Sequence, residues 1–175
     1  MYQLLLNDES QTNQCAFALA KGVATCANNS EHAALLSSKR PLKIYFSGEI
    51  GAAKSCFIRQ FLTTLGVTAT IKSPTFSIIE SYKVKTSLYV HMDLYRIVDE
   101  DELHYLGFEE YFSDANIVLI EWPEKVSGLP LPDLHVNLKN VDFGHKRKIS
   151  IQSISKLGEL ILEHLKPKQR QSTDF

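Results

Sequence analysis

The segment from residue 48 to residue 55 constrains the fold of this chain more than any other. It reads Gly-Glu-Ile-Gly-Ala-Ala-Lys-Ser, and it lies between a mostly apolar run, 42–46, and a helix-like segment, 57–62. A strand, a glycine-containing turn that ends in Lys-Ser, and a helix form the layout of a phosphate-binding loop. In such a loop the backbone N–H groups point at a phosphate, and the helix N-terminus adds partial positive charge. The pattern therefore predicts a phosphate site at the end of a core strand.

Two side chains of this loop have roles that follow from their chemistry. Lys54 would neutralise the outer phosphates of a nucleotide, and the Ser55 hydroxyl would ligate Mg²⁺. The residues that we predict to contact a nucleotide in this segment are Gly48, Gly51, Ala52, Ala53, Lys54, Ser55 and Cys56.

Ala53 departs from the consensus G-x-x-x-x-G-K-[ST], which has glycine at this position. Glycine is used there because the loop turns sharply and its backbone must come close to phosphate oxygens. If the position requires a positive φ, alanine costs about 1–2 kcal/mol. Since about 1.4 kcal/mol corresponds to a tenfold change, we expect nucleotide affinity to fall by about one order of magnitude.

Length and composition indicate one soluble globular domain. We predict a single nucleotide-binding domain over 1–165 and a polar, disordered tail over 166–175, since 175 residues suffice for one full core. Hydrophobic residues make up 44% of the chain and charged residues 22%, which is ordinary for this class. The net charge of −1 argues against binding through a broad basic face, although the protein could still serve nucleic acid through a partner.

The cysteines indicate a reducing compartment, and the hydropathy argues against a membrane-spanning segment. Cys15, Cys26 and Cys56 are an odd number without C-x-x-C spacing, so we expect free thiols with no disulfide partner and no zinc site. No apolar run reaches the roughly 18–20 residues that cross a bilayer, and the N-terminus lacks the pattern of a secretory signal. We therefore expect a cytoplasmic protein with no membrane partner.

The pattern along the chain predicts an α/β fold, with a central, largely parallel sheet flanked by helices and antiparallel strands at the edges. Residues 22–40 are ambiguous: 23–26 could extend the first helix, 28–30 resembles a break, and 31–36 could form another helical turn. The predicted strands are 2–6, 42–46, 67–71, 75–82, 87–93, 117–120, 134–138 and 148–151. The first predicted helix begins near Asp8 and runs to about Lys21. The other predicted helices are 57–62, 99–106, 108–112 and 154–165.

Two carboxylates follow apolar strands. Asp93 ends the run 88–92, and Glu121 follows the run 117–120. In an open parallel sheet the C-terminal ends of the strands line the ligand crevice, so both acids could face the phosphates. Either could hold the metal, directly or through water, and either could orient an attacking water.

Three further residues have two readings each. Thr75 could sense a γ-phosphate or Mg²⁺, as switch segments do, or could simply begin a strand. His91 lies two residues before Asp93, so both point to one face of a strand; it could bond a phosphate or a carboxylate, or be structural. Arg147 could approach a phosphate, although a lone arginine is more often part of a surface ion pair.

Four segments together resemble the bacterial TsaE family, also called YjeE. They are 47–55, Ser-Pro-Thr-Phe at 73–76, His-Met-Asp-Leu-Tyr-Arg at 91–96 and Ile-Glu-Trp-Pro at 120–123, and the resemblance runs from about Thr12 to Ile151. That family is the small ATPase of the machinery that makes threonylcarbamoyladenosine beside the anticodon of certain tRNAs.

The resemblance implies a phosphate-loop α/β fold, ATP and Mg²⁺, with the following residue roles. Ser55 and Glu121 would be the metal ligands, and Asp93, with Lys54 and Glu121, would serve hydrolysis. Trp122 would lie near the nucleotide, Thr12 near the adenine, and Arg147 would match an arginine in a late strand. The implied partners are TsaD and TsaB, whose pair stimulates hydrolysis; the ATPase resets their complex between rounds, and tRNA is reached indirectly. Two departures from the family pattern are Ala53 and a longer segment at 22–40.

Other functions remain open on the sequence alone. Ala53 motivates a nucleotide-responsive binding module with little catalysis. A small-molecule kinase would need a mobile, arginine-rich lid, and no such insertion is present in the sequence. A GTPase is disfavoured because the guanine-reading N-K-x-D motif is absent.

Overall fold

The computed structural model describes residues 1–29, 40–99, 101–142 and 146–165. The described part is an α/β structure with a short 3₁₀ helix at Pro123–Lys125. In chain order its elements are β1 (Tyr2–Leu6), α1 (Glu9–Asn28), β2 (Leu42–Gly48), α2 (Lys54–Thr64), β3 (Ile79–Val84), β4 (Ser87–Asp93), α3 (Asp101–Tyr105), α4 (Phe108–Asp114), β5 (Ile117–Glu121), β6 (Leu134–Val141), β7 (Lys146–Ser153) and α5 (Lys156–Glu163).

The strands form one mixed sheet in the order β1-β7-β6-β2-β5-β4-β3. Strands β6, β2, β5 and β4 run parallel to their neighbours in the centre. Antiparallel pairs extend both ends, with β7 and β1 on one side and β3 on the other. The predicted fold class, with a parallel centre and antiparallel edges, is confirmed.

Apolar layers cover both faces of the central strands. In β5, Ile117 and Leu119 join the layer built with α1, α2 and α5, while Val118 and Ile120 join the opposite layer, to which α3 and α4 contribute. All five residues of β5 are buried. A strand covered on both faces has no polar side to show, which is why it reads as a continuous apolar run.

Several predicted boundaries differ from the observed ones. Residues 67–71 form no strand. Gly66, with φ of 100°, follows the end of α2, and the residues after it pair with no strand in the described part of the chain, although Val67 and Ile71 are buried. Strand β3 begins at Ile79 and not at 75, because a turn closes from the Ile78 N–H to the Pro74 carbonyl at 2.7 Å. The predictions for 31–36 and for the tail 166–175 lie outside the described residues.

The first helix is longer than the minimal prediction. Its N-cap is Asp8, whose carboxylate accepts a hydrogen bond from the Gln11 N–H at 2.8 Å, and it continues to Asn28. The alternative in which 23–26 extends the helix is therefore correct. No helix within the described ranges is both long and apolar enough to cross a membrane.

The topology brings three strand ends together. Strands β2, β5 and β4 are adjacent and parallel, so their carboxyl ends lie at one edge of the sheet. In this register Glu121 is paired with Phe46 on one side and with Asp93 on the other. Gly48, Asp93 and Glu121 end their strands here, and α2 starts from the loop that follows β2.

Candidate functional site

The loop between β2 and α2 has the backbone of a tight phosphate-binding turn. Gly48 has φ of 138°, and a Cβ at this position would collide with the Leu138 carbonyl oxygen of the neighbouring strand. Gly51 has φ of 77°, and Ala53 has φ of 73° and ψ of 26°. The structure confirms that the position of Ala53 takes the left-handed conformation, which is the one that favours glycine.

The N-terminus of α2 opens onto this turn. Ala53 is its N-cap, and no side chain in the described part of the chain caps it by a hydrogen bond. The first backbone N–H groups of a helix lack partners within the helix, so they are free to bind an anion. The arrangement suits a phosphate at the end of β2.

Lys54 is held against its own loop. Its side chain is 5% exposed, and its Nζ donates to the Gly48 carbonyl at 2.7 Å and the Glu49 carbonyl at 3.0 Å. Burial lowers the Lys54 pKa, and the carboxylates of Glu121, Asp93 and Glu124 oppose that shift. An ammonium has three N–H donors, so the loop fixes its position with two and leaves one for a ligand.

Ser55 and Glu121 are in direct contact. The Ser55 hydroxyl lies 2.8 Å from Oε1 and 3.1 Å from Oε2 of Glu121. It also lies 3.3 Å from the Ser73 Oγ, which in turn donates to the Asp93 carboxylate at 3.3 Å. Ser73 thus links the two carboxylates and the loop serine into one polar cluster, and Thr75 joins it through a 3.1 Å contact with Ser73.

Asp93 is buried beside a second acid. Its carboxylate accepts from the Tyr95 N–H at 3.1 Å as well as from Ser73. Burial raises the Asp93 pKa above its usual range, the nearby Glu121 carboxylate adds to this rise, and the two hydrogen bonds oppose it. A carboxyl group whose charge is disfavoured in this way gains from a cation placed between the two acids.

Trp122 covers one side of Lys54. It has φ of 59°, and its N–H donates to the Phe46 carbonyl at 3.1 Å, so the strained backbone is held by the sheet. The Lys54 Nζ lies 3.7 Å from the centre of the Trp122 ring, and the Tyr95 ring packs on Trp122 with centroids 4.9 Å apart. The Trp122 ring is therefore in direct contact with the Lys54 ammonium group.

These groups line a single cleft of about 320 Å³. Most of the predicted site residues lie around it, including Lys54, Asp93 and Glu121. The cleft is lined by Ile50, Gly51, Ala52, Ala53, Lys54, Ser55, Cys56, Ser73, Thr75, Asp93, Tyr95, Glu121 and Trp122.

Sequence reasoning had not assigned a site role to Ser73, Tyr95 or Ile50. Ser73 carried a signal, because it lies in the Ser-Pro-Thr-Phe segment beside Thr75. Tyr95 likewise lies two residues after Asp93 in the His-Met-Asp-Leu-Tyr-Arg segment. Ile50 occupies a variable position of the loop consensus, and its pattern carries no signal.

Gly48, Thr12 and Arg147 are not among the residues that line the cleft. Gly48 ends β2, where that strand pairs with Leu138 of β6. Thr12 is fully buried in the first turn of α1, and its hydroxyl donates to the Asp8 carbonyl at 3.1 Å. Arg147 lies in β7, and its buried Nε has no hydrogen-bond partner among the described residues.

Cys56 connects the cleft to α1. Its thiol lies 3.3 Å from a Glu9 carboxylate oxygen and 3.4 Å from the Asn13 side-chain oxygen. Burial, followed by the hydrogen bond to Glu9, raises the Cys56 pKa to about 11, and the charges of Arg59 and Arg147 oppose this. The thiol is therefore protonated at neutral pH, and all three cysteines are free.

The donor set of the cleft fits a magnesium ion. No group of three or more His, Cys, Asp or Glu side chains within the described ranges is arranged to hold a metal by itself. The Ser55 hydroxyl and the Glu121 carboxylate instead offer a few oxygen ligands beside a phosphate site. Mg²⁺ is typically bound in this way, through one or two carboxylates plus the phosphates of a substrate.

Known proteins with similar sequences share one description. Residues 6–149 match the family model of the threonylcarbamoyl adenosine biosynthesis protein TsaE. The chain is 35% identical to the tRNA threonylcarbamoyladenosine biosynthesis protein TsaE of Haemophilus influenzae over 128 residues, which are 73% of this chain and 80% of that one. It is 34% identical to the protein of the same name from Rickettsia felis over 160 residues, 90% of this chain and 84% of that one.

A solved structure shares the fold. The crystal structure of Bacillus subtilis YdiB superposes with a TM-score of 0.69 at 24% identity, covering 94% of this chain and 93% of that chain. The family match spans well over half of the sequence, and several relatives exceed 30% identity over most of it. This chain belongs to the TsaE family.

Proposed function

We propose that this chain binds and hydrolyses ATP with Mg²⁺ in the machinery that makes threonylcarbamoyladenosine in tRNA. One observation carries the proposal: Lys54, Ser55, Asp93 and Glu121 surround one cleft at the open N-terminus of α2. The names of the relatives supply the pathway, since they are tRNA threonylcarbamoyladenosine biosynthesis proteins.

The loop would bind the phosphates by position more than by covalent chemistry. The N–H groups at the start of α2 would face the phosphate oxygens, and Lys54, fixed by two carbonyls of its own loop, would meet the outer phosphates. Gly51, Ala52, Ala53 and Cys56 would form the wall of the turn. Such preorganised donors stabilise the charge that develops in phosphoryl transfer.

Ser55 and Glu121 would hold Mg²⁺, and Thr75 and Asp93 lie within the same polar cluster. Held there, the ion would supply positive charge for phosphoryl transfer. Asp93 accepts hydrogen bonds from Tyr95 and Ser73, so its carboxylate is oriented at the edge of the cleft. We assign to Asp93 the orientation of the attacking water, and to Trp122 a contact beside the nucleotide.

We place the adenine side of the nucleotide toward α1 and β7, on the basis of the family resemblance. Thr12 lies one turn along α1 from Glu9 and next to Asn13, both of which contact Cys56 at the cleft. Arg147 lies near enough to Cys56 for its charge to oppose the rise in the thiol pKa. The orphaned Arg147 Nε offers a donor to a ribose or phosphate oxygen.

The proposed partners are the TsaD and TsaB proteins, through which the chain would serve tRNA without binding it directly. Two large apolar side chains on the segments that line the cleft are exposed: Ile50, which lines it, is 68% exposed, and Phe76, which follows the lining residue Thr75, is 85% exposed. Exposed apolar groups that cluster at a functional cleft are typical of protein interaction sites. A partner that docks there would act on the nucleotide site directly.

The decisive experiment is ATP hydrolysis by the purified chain, measured alone and with the TsaD–TsaB pair. We expect slow turnover alone, clear stimulation by the pair, and loss of both in Lys54→Ala. Titration of ATP with Mg²⁺, followed by Trp122 fluorescence, measures binding separately. A chain that binds ATP but shows no stimulation would contradict the proposed partnership, and one that binds no ATP would contradict the proposal as a whole.

A second candidate function is a nucleotide-responsive binding module with little catalysis. The observation that favours it is Ala53, which holds a φ of 73° where glycine would be unstrained. In that case ATP would change the affinity for the partner pair, and a non-hydrolysable analogue would have the same effect as ATP. If hydrolysis is required, the analogue traps the complex and ATP releases it.

A further inference from the structure

His91 is a buried histidine that contacts the proposed metal site from behind. It lies in the middle of β4, its side chain is fully buried, and its Nε2 lies 2.9 Å from Oε1 of Glu121. The register explains the contact: His91 is paired with Leu119, and Glu121 follows two residues later on the same face of β5.

The contact differs in kind from the one that Glu121 makes with Ser55. Ser55 lines the cleft and can turn toward a ligand, whereas His91 does not line it. A carboxylate only accepts hydrogen bonds, so the tautomer that bonds it carries its proton on Nε2. The other ring nitrogen, Nδ1, is buried and has no partner among the described residues.

A buried imidazole with one orphaned nitrogen is a poor choice for packing alone, because an unpaired polar atom in the core is costly. Its cross-strand neighbour on the same face, Leu119, is a fully buried apolar residue. Among the described residues, the His91 side chain has one polar contact, which is with Glu121. The chemistry of the residue is therefore directed at that carboxylate.

We propose that His91 is a positioning residue, which donates from Nε2 to Oε1 of Glu121 and holds this carboxylate in the orientation that binds the metal. The inference rests on the proposed function, because it concerns the same metal site. If the Ser55 hydroxyl turned from Glu121 toward a cation, the hydrogen bond from His91 would still hold the Glu121 carboxylate in place. Outer partners of this kind orient metal ligands, and their removal typically weakens metal binding about 10–100-fold.

Two amide variants of the full chain test the role of this donor. The amide nitrogen of Gln falls near the position of Nε2, and that of Asn falls near Nδ1, so His91→Gln keeps the bond to Glu121 and His91→Asn loses it. Binding of Mn²⁺ with a non-hydrolysable ATP analogue is measured by electron paramagnetic resonance. The affinity for the analogue in EDTA is measured in parallel, and thermal unfolding shows that both variants are folded.

We expect His91→Asn to weaken Mn²⁺ binding about tenfold or more, and His91→Gln to stay within about threefold of the wild type. The affinity for the analogue in EDTA should be the same in all three proteins. Equal Mn²⁺ affinities in wild type and His91→Asn, or equal losses in both variants, would overturn the inference. So would a parallel loss of affinity in EDTA, which indicates a merely structural role.

A measurement on the unmodified protein covers the case in which a variant does not fold. Long-range ¹H–¹⁵N spectra of the histidine ring should show a proton on Nε2, and a ring that carries its proton on Nδ1 alone would overturn the inference. Wild-type protein that binds the analogue but no Mn²⁺ would overturn the proposed metal site and this inference together. Wild-type binding with no effect of His91→Asn would overturn this inference alone.

Discussion

At the scale of single residues, the strain at Ala53 has a definite thermodynamic consequence. Its φ of 73° costs an L-residue about 1–2 kcal/mol, and glycine avoids this cost. Glycine in turn loses about 0.4–1 kcal/mol through the greater entropy of the unfolded chain. This strained residue lies in the loop that is proposed to bind phosphate. The conformational cost therefore falls on every state of the protein that keeps this loop conformation, including the proposed nucleotide complex.

Ala53→Gly should therefore stabilise the protein at saturating ATP and Mg²⁺ by about 0.5–1 kcal/mol, which raises the melting temperature by roughly 1–4 °C. Melting curves without nucleotide and a titration with ATP then show how the gain divides between folding and affinity. The matched control is Ala52→Gly, because Ala52 is fully buried in the same loop and has no positive φ. That variant should lose stability, and a fall for Ala53→Gly as well would contradict the strain argument.

Asp93 provides a second residue-scale prediction, which depends on pH. Burial raises its pKa in the folded protein, so the folded state holds this proton more tightly than the unfolded state. The stability that this provides is complete below the ordinary value of 3.8 and is lost as the pH rises through the raised pKa. Above the raised pKa, the ionised Asp93 therefore destabilises the fold relative to a neutral side chain.

Asp93→Asn should increase the free energy of unfolding at neutral pH, and the gain should shrink toward zero at acid pH. Asparagine can still accept from the Tyr95 N–H and can donate to Ser73, so the hydrogen bonds survive. The same variant should lose ATP hydrolysis by about 100-fold or more, since Asp93 is proposed to orient the water. Denaturant unfolding at several pH values measures the first effect. A variant less stable than the wild type at neutral pH would refute the argument.

The residues of the site could be predicted in so far as a local pattern fixes their place. The loop residues and the acids after two apolar strands follow from motif and strand order, because parallel strands end at one edge. The contacts of Ser73 with Ser55 and Asp93, and of His91 with Glu121, join residues 18, 20 and 30 positions apart. Contacts between residues so far apart in the sequence depend on the register between strands, which the sequence pattern does not specify.

At the scale of elements, Asp133 ties three of them together. It is 1% exposed and accepts from the Arg40 guanidinium at 2.9 Å, the Lys43 N–H at 2.9 Å and the Ser155 hydroxyl at 2.6 Å. Ser155 is the N-cap of α5, and Lys43 lies near the start of β2. One carboxylate thus joins the beginnings of β2, β6 and α5 at the end of the sheet opposite the cleft.

Asp133→Ala should reduce the free energy of unfolding by about 2–4 kcal/mol, because it leaves a buried N–H and a hydroxyl without their partner. The affinity for ATP should change little, since the network lies outside the cleft. Denaturant unfolding measures the loss, and Trp122 fluorescence reports ATP binding. Glu159→Ala is the control, because its ion pair with Lys156 is exposed and should contribute less than about 1 kcal/mol. Equal effects of the two substitutions would contradict the role given to Asp133.

Elements could be predicted where burial leaves a periodic trace. The sequence of β5 identifies it because both faces are covered, and the strands predicted at 134–138 and 148–151 lie within β6 and β7. Residues 67–71 have the composition of a strand, yet the sheet edge beside β4 is occupied by β3. The composition of a segment reflects its burial and its β-propensity, but it does not determine which segment pairs with a given strand of the sheet.

At the scale of the whole molecule, three exposed apolar or aromatic side chains belong to the segments that line the cleft, and we call them the rim: Ile50 and Tyr95 line it, and Phe76 follows the lining residue Thr75. Phe76 is the most exposed of the three at 85%, and the Arg96 guanidinium lies 4.4 Å from its ring centre. A large aromatic group with a cationic neighbour has the composition of an interface anchor. Phe76 does not line the cleft, so it can be changed without altering the nucleotide contacts proposed above.

Phe76→Ser should leave hydrolysis by the isolated chain unchanged and raise the concentration of TsaD–TsaB pair needed for half-maximal stimulation by about tenfold or more. Phe76→Leu, which keeps apolar area, should lie between this variant and the wild type. Leu131→Ser is the matched control, because Leu131 is 76% exposed but lines a different groove. If the two serine variants respond alike to the pair, the rim is not the docking surface. If Phe76→Ser also slows hydrolysis by the isolated chain, Phe76 supports the nucleotide site itself, since a residue that acts through the partner alone cannot change the rate in the partner's absence.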